Sequence, residues 1–282
     1  YCKDLGMDVT YVGTDTNGLV KVSDIEAAIT DKTCLITVLM ASNETGAVQD
    51  IKEMAAIAKK HNVRFHTDGA QAVGKMKIDL VDLGVDYFTC SAHKFHGPKG
   101  VGLMFVKGGA PYTALIHGSK NVMGGKRAGS LYNNGVAAMA KAVEIANINL
   151  PLMEKSVQSL RDRLEDELLK IPDTKSYVPR VKRLKNLVAI SFRGVEGESM
   201  LWDMNVNGIY ISTGSSCSSE DLESSAVVEA LGEIVEIANA TVMFALSKFT
   251  TDEEIDYVIE QVTKAVTRIR EISMTYAKQE AF

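Results

Sequence analysis

The N-terminal half of this chain alternates short apolar runs with amphipathic stretches, and that alternation restricts the possible folds more than any other feature. Cys34 to Ala41 reads as a buried strand. Asp50-Ile51-Lys52-Glu53 opens a helix whose apolar stripe is Ile51, Met54, Ala55 and Ala58. Val63 to Thr67 and Asp86 to Ser91 read as further strands, and Val101 to Val106 as another after the turn Gly97-Pro98-Lys99-Gly100. Ser23-Asp24-Ile25-Glu26 has capping-box spacing and predicts a short helix that starts there. Strands that alternate with helices imply a mainly parallel sheet covered on both faces, so this half is α/β.

The pattern then changes. A long helical region runs from about Asn134 to Leu169, interrupted near Pro151. Asn186 to Phe192, Ile209 to Ser212 and Thr241 to Leu246 read as strands. Thr251 and Glu254 make a capping box for a last helix with Ile255, Val258, Ile259, Val262, Val266 and Ile269 on one face. The expected division is a large α/β domain over residues 1–145 and a smaller C-terminal α+β domain over residues 146–282. The chain opens at Tyr1 and runs into a β-like segment, Asp8 to Val12, as expected of a fragment cut from within a domain.

Composition excludes several function classes. The 282 residues carry a net charge of −5, with positive charge scattered, which argues against a nucleic-acid partner. The longest apolar run, Cys34 to Ala41, is too short to span a bilayer, and no signal peptide is visible. Cys2, Cys34, Cys90 and Cys217 are widely separated with no CxxC pair, so neither a disulfide scaffold nor a zinc site is expected. A reducing cytoplasm suits them. The Gly125-Lys126 pair lacks Walker spacing, and no GxGxxG follows a strand.

Two strand ends carry candidate chemistry. Asp68 follows one strand in His66-Thr67-Asp68-Gly69-Ala70-Gln71, and Lys94 follows another in Ser91-Ala92-His93-Lys94. Ligands of open parallel sheets sit at the carboxyl ends of strands, so the two can share a site. A lysine and an aspartate there point to pyridoxal 5′-phosphate: the amine bonds the aldehyde carbon, and the carboxylate keeps the pyridine nitrogen protonated. The plain alternative is that Asp68 caps a helix and Lys94 is a solvated surface residue. Cys217 stands in a small, polar stretch, Ser212 to Ser219, with no apolar periodicity around it, so an accessible thiol is expected. Cys2, Cys34 and Cys90 read as small buried apolar residues.

With Ser42-Asn43-Glu44-Thr45-Gly46, the two segments above and the continuation Phe95-His96-Gly97-Pro98-Lys99-Gly100, the chain resembles the class V aminotransferase superfamily. More narrowly, it resembles the NifS-like cysteine desulfurases of pyridoxal-phosphate fold type I, over about residues 1 to 272. The resemblance implies that Lys94 is the Schiff-base lysine and Asp68 the pyridinium partner. Gln71 then serves the phenolic oxygen, Ser91 and His93 the phosphate, and Asn43 the cofactor and substrate carboxylate. Ser130, in Lys126-Arg127-Ala128-Gly129-Ser130, reaches the phosphate bound by a second subunit, which implies a homodimer. Cys217 becomes the nucleophile that takes sulfur from L-cysteine, leaving L-alanine. The persulfide then passes to an acceptor protein in iron–sulfur cluster assembly or thio-modification.

The chain departs from that pattern in three places. The family's phosphate-cradling turn and its ring-stacking histidine lie upstream of Tyr1. Met243 stands where the family has an arginine that pairs with the substrate carboxylate. His117 to Gly125 differs from the family's glycine-rich stretch and is one residue longer. Two alternatives follow from these departures. One is a related pyridoxal-phosphate carbon–sulfur or selenocysteine lyase, or a class V aminotransferase with altered substrate. The other is a catalytically degenerate homologue that persists as a binding partner.

Overall fold

In this computed structural model residues 2–214, 224–273 and 276 are described. The chain divides into two compact units: residues 22–41 with 49–150, and residues 1–21 and 42–48 with 151–282. The expected division at 145/146 falls inside the helix Asn133–Ile148.

The first unit is built on the expected alternation. Helix α1 (Val22–Ala28), strand β1 (Leu35–Leu39), helix α2 (Ile51–Lys60), strand β2 (Arg64–Asp68), helix α3 (Leu80–Leu83) and strand β3 (Tyr87–Ser91) follow in order. Strand β4 (Gly102–Val106) and helix α4 (Asn133–Ile148) complete it. The sheet order is β1-β2-β3-β4, with β1, β2 and β3 parallel and β4 antiparallel. The stripe predicted for α2 is the buried one: Ile51, Met54, Ala55 and Ala58. Full burial of side chains such as Ile51 and Met54 is worth about 1.5–3 kcal/mol each.

Several local expectations fail for identifiable reasons. Helix α1 starts at Val22, ahead of Ser23, so no capping box forms there. Glu26 instead accepts from Lys60 Nζ at 2.7 Å and lies 2.9 Å from His61 Nε2, a tertiary pairing that overrides the local one. Asp8 to Val12 forms no strand; it is mostly exposed and has no ladder partner among the described residues. Among the described cysteines, Cys34 and Cys2 are exposed and Cys90 is buried. Cys34 precedes β1, which lies at the sheet edge and leaves Leu35 and Leu39 about half exposed (47% and 49%), so that face is not covered as expected.

The second unit is an antiparallel sheet with helices. A short helical turn α5 (Leu150–Leu152) leads through a wider turn at Met153–Val157 into α6 (Gln158–Leu168). Then come β5 (Thr174–Ser176), β6 (Leu187–Phe192), α7 (Gly197–Val206), β7 (Ser212–Thr213), α8 (Ala226–Ala230), α9 (Val235–Asn239), β8 (Thr241–Ala245) and α10 (Asp252–Ile272). The sheet order is β5-β6-β8-β7, and every pairing is antiparallel. The strand expected over Ile209 to Ser212 is reduced to Ser212–Thr213.

Strand β6 is buried along its whole length, so both of its faces are covered. Period-two alternation sends Val188, Ile190 and Phe192, with Val242 and Phe244 of β8, into one core with α6 and α10. Ala189 and Met243 point into a second cluster with Ala47, Tyr177, Val228 and Leu231. Helix α10 carries the predicted capping box: Glu254 N–H donates to Thr251 Oγ1 at 3.2 Å, and Thr251 N–H to Glu254 Oε2 at 2.9 Å.

Candidate active site

Strands β2 and β3 are parallel neighbours, so their carboxyl ends lie on the same side of the sheet, and Asp68 pairs in register with Thr89. On β2 the alternation buries Phe65 and Thr67 on one face and leaves His66 and Asp68 half-buried on the other. Asp68 Oδ1 accepts from Ala70 N–H at 2.8 Å, and Oδ2 accepts from the Thr89 hydroxyl at 3.0 Å. The turn that follows is tight. A Cβ on Gly69 would lie 2.2 Å from the Phe88 ring, so only glycine fits there.

A relay runs behind Asp68. The Thr89 hydroxyl has one proton and gives it to Asp68, so at its 3.2 Å contact with His66 Nε2 it accepts. His66 Nε2 is therefore the protonated nitrogen. Burial lowers the His66 pKa, against the pull of the Asp68 charge, which favours the neutral ring. Neutral His66 then accepts at Nδ1 from the Thr37 hydroxyl, 2.7 Å away. Donors thus run in one direction, from Thr37 through His66 and Thr89 to Asp68, across three strands.

Lys94 lies on the 3₁₀ turn Ala92–Phe95 that leaves the end of β3. Ala92 and Phe95 are buried and anchor the turn, while His93 and Lys94 are exposed. Ser91 opens the turn without capping it, which leaves its hydroxyl for other partners. Gly97 allows the chain to close on itself, since a Cβ there would sit 2.9 Å from the Ala92 carbonyl oxygen.

Gln71 follows Asp68 on the loop and is fixed by a residue that the sequence reading passed over. Lys75 Nζ donates to Gln71 Oε1 at 2.8 Å. A lysine only donates, so the amide must turn its oxygen to Lys75 and keep Nε2–H free to donate elsewhere. Lys75 is pushed down to about 8, first by burial and then by the positive charge of Lys94. The four-residue spacing of Gln71 and Lys75 in a helical turn was the signal available in the sequence.

The donor set fits pyridoxal phosphate. It offers a carboxylate braced by its own hydrogen bonds and an exposed amine at the neighbouring strand end, with an amide N–H and a serine hydroxyl that have no partner among the described residues. Ser130 is exposed between the turn Met123–Gly125 and α4. Asn43, also exposed, belongs to the second unit, as does Met243, which is buried in the apolar cluster of β8. Cys217 lies outside the described residues.

A family model described as aminotransferase class V matches residues 1–258. A cysteine desulfurase IscS of Clostridium botulinum is 41% identical over 271 residues, covering 95% of this chain and 68% of that protein. Among solved structures, a NifS-like protein superposes with a TM-score of 0.88 at 32% identity, over 95% of this chain and 70% of its own. SspA in complex with cysteine gives a TM-score of 0.73 at 26% identity, over 88% of this chain and 69% of its own.

Proposed function

The chain belongs to the class V aminotransferase family and, within it, to the cysteine desulfurases of the IscS and NifS kind, and from that premise we propose that it converts L-cysteine to L-alanine and holds the sulfur as a persulfide on Cys217. The observation that carries this reading is the pairing of strand ends. Asp68 ends one strand and the turn bearing Lys94 follows the parallel strand beside it, at the same end of one sheet.

The family depends on pyridoxal phosphate. In this chain Lys94 would hold the aldehyde carbon, Asp68 the pyridine nitrogen and Gln71 Nε2 the phenolic oxygen. Ser91 and His93 take the phosphate, joined by Ser130 of a second copy in a homodimer. When bound, the cofactor draws electrons from the substrate Cα and so weakens first the Cα–H bond and then the carbon–sulfur bond.

The residues divide the remaining work. Asp68, braced by Thr89 and the Ala70 amide, keeps a proton on the ring nitrogen. Lys94 would move the Cα proton, its exposed amine being the base at that strand end. Asn43 meets the substrate carboxylate. The Cys217 thiolate attacks the substrate sulfur; the carbon–sulfur bond breaks with its electron pair going to carbon, and protonation there yields alanine. Sulfur remains on Cys217 as a persulfide for an acceptor protein of iron–sulfur assembly or thio-modification. Such chemistry suits a cytoplasmic setting, and among the described residues no single helix is long and apolar enough to cross a membrane.

The test is product analysis of the cofactor-loaded protein supplied with cysteine. The reading requires alanine and sulfide in equal amounts with reductant present, and a Cys217→Ala variant that binds cofactor but forms no persulfide. Pyruvate or glutamate as product would favour a lyase or aminotransferase instead.

A further inference from the structure

Glu44 belongs to the loop 42–48, which the second unit holds firmly. The Ser42 hydroxyl accepts from Glu44 N–H at 3.2 Å and from Thr45 N–H at 3.1 Å. Ala47 bridges to Arg183, and Leu184 N–H donates to the Gly46 carbonyl at 2.9 Å. A Cβ on Gly46 would lie 3.0 Å from Arg183 Cγ. Arg183 is fixed in turn by Glu165, 2.5 Å from its guanidinium, and by the Tyr177 carbonyl at 2.8 Å. The loop therefore presents Glu44 from a rigid base.

From that base the Glu44 side chain meets two residues far away in sequence. Its Oε2 accepts from the buried Ser225 hydroxyl at 2.5 Å. Ser225 Oγ in turn accepts from Val228 N–H at 3.1 Å, capping α8. A Cβ on Gly214 would lie 2.3 Å from the same Glu44 oxygen and 2.6 Å from Ser225 Cβ, so this approach requires glycine. Gly214 and Ser225 stand at the two ends of the stretch that contains Cys217.

We propose that Glu44 is a positioning residue for the nucleophile: it clasps Gly214 and Ser225 together and so fixes both ends of the chain segment that carries Cys217. Among the described residues the carboxylate meets Gly214 and Ser225, and it acts through them. Burial raises the Glu44 pKa, against the Ser225 hydrogen bond, as expected of an acid held away from water by its neighbours. The role assigned to Cys217 rests on the proposed desulfurase reading; the clasp itself rests only on the contacts above.

The test compares Glu44→Ala, Glu44→Gln and Ser225→Ala in the cofactor-loaded protein. The readouts are cysteine turnover, the cofactor absorbance band and the rate at which iodoacetamide alkylates Cys217. Losing this buried hydrogen bond should lower kcat by about tenfold in Glu44→Ala and Ser225→Ala. The Michaelis constant for cysteine and the absorbance band should stay at parental values, and Cys217 alkylation should change several-fold. Glu44→Gln should restore both rates, because its amide oxygen still accepts from Ser225. Parental kcat and parental alkylation in Glu44→Ala and Ser225→Ala overturn the proposal. If the parent itself does not turn over cysteine, the desulfurase reading fails, and the alkylation rates still decide the clasp.

Discussion

His66 and Asp68 share one hydroxyl: Thr89 Oγ1 lies 3.2 Å from His66 Nε2 and donates to Asp68 Oδ2 at 3.0 Å. The acid expected to hold the cofactor nitrogen is thereby tied to a second strand and, through Thr37, to a third. Thr89→Val keeps the shape and removes the link. Cysteine turnover should fall by about ten- to a hundredfold, with cofactor still attached at Lys94. Unchanged steady-state turnover would show that the link is idle.

The same histidine predicts an acid limit. Its folded pKa is lowered from 6.5, so the folded state resists taking up a proton that the unfolded chain accepts. Its contribution to stability is present above 6.5 and is lost as pH falls from there through the lower folded value. Thermal unfolding of parent and His66→Gln across this range should show the parent losing more stability on acidification. Parallel curves would contradict it.

Lys75 titrates in a different window. Its folded pKa is about 8 against 10.5 for a free side chain, so between these values the unfolded chain holds a proton that the folded state has lost. The contribution of Lys75 to stability therefore rises with pH from about 8 to 10.5 and is least favourable below 8. Lys75→Met should flatten that rise in denaturant titrations of the cofactor-free protein. A variant with the parental slope would place the low pKa elsewhere.

Glu165 is the centre of a buried ion network. Burial opposes its ionisation, but Arg183 and Arg180 hold its pKa below the ordinary value. Glu165→Gln leaves Arg183 buried without its countercharge, which should cost about 3–5 kcal/mol. Urea unfolding measures this directly, and a loss under about 1 kcal/mol, as for an exposed pair, would contradict it.

Met243 packs in the cluster with Ala47, Ala189, Val228 and Leu231. Met243→Arg places a guanidinium among apolar side chains and should lower the melting temperature by several degrees. If the melting temperature holds and the Michaelis constant for cysteine falls instead, position 243 faces the substrate as the family's arginine does.

Much of this was legible in the sequence because it depends on local pattern. The alternation of strands and helices placed Asp68 and Lys94 at strand ends, and the α2 stripe and the Thr251 capping box formed as written. What could not be read depends on pairings distant in sequence. Thr37, His66 and Thr89 meet only through the register of three strands. Glu26 leaves its capping box for Lys60 and His61. The loop 42–48 is embedded in the first half of the chain but folds with the second unit, because its partners are Lys182, Arg183 and Leu184. Residue type made Cys34 a core residue, whereas its place ahead of an edge strand exposes it.

The most direct test of the account is to load the protein with pyridoxal phosphate, reduce it with borohydride and locate the label by peptide mapping. Two lysines compete within electrostatic reach of each other, and burial with the Lys94 charge pushes the Lys75 pKa down to about 8. A pyridoxyl group is expected on Lys94 alone, lost in Lys94→Ala and retained in Lys75→Met. Label on Lys75, or no label at either position, would contradict it.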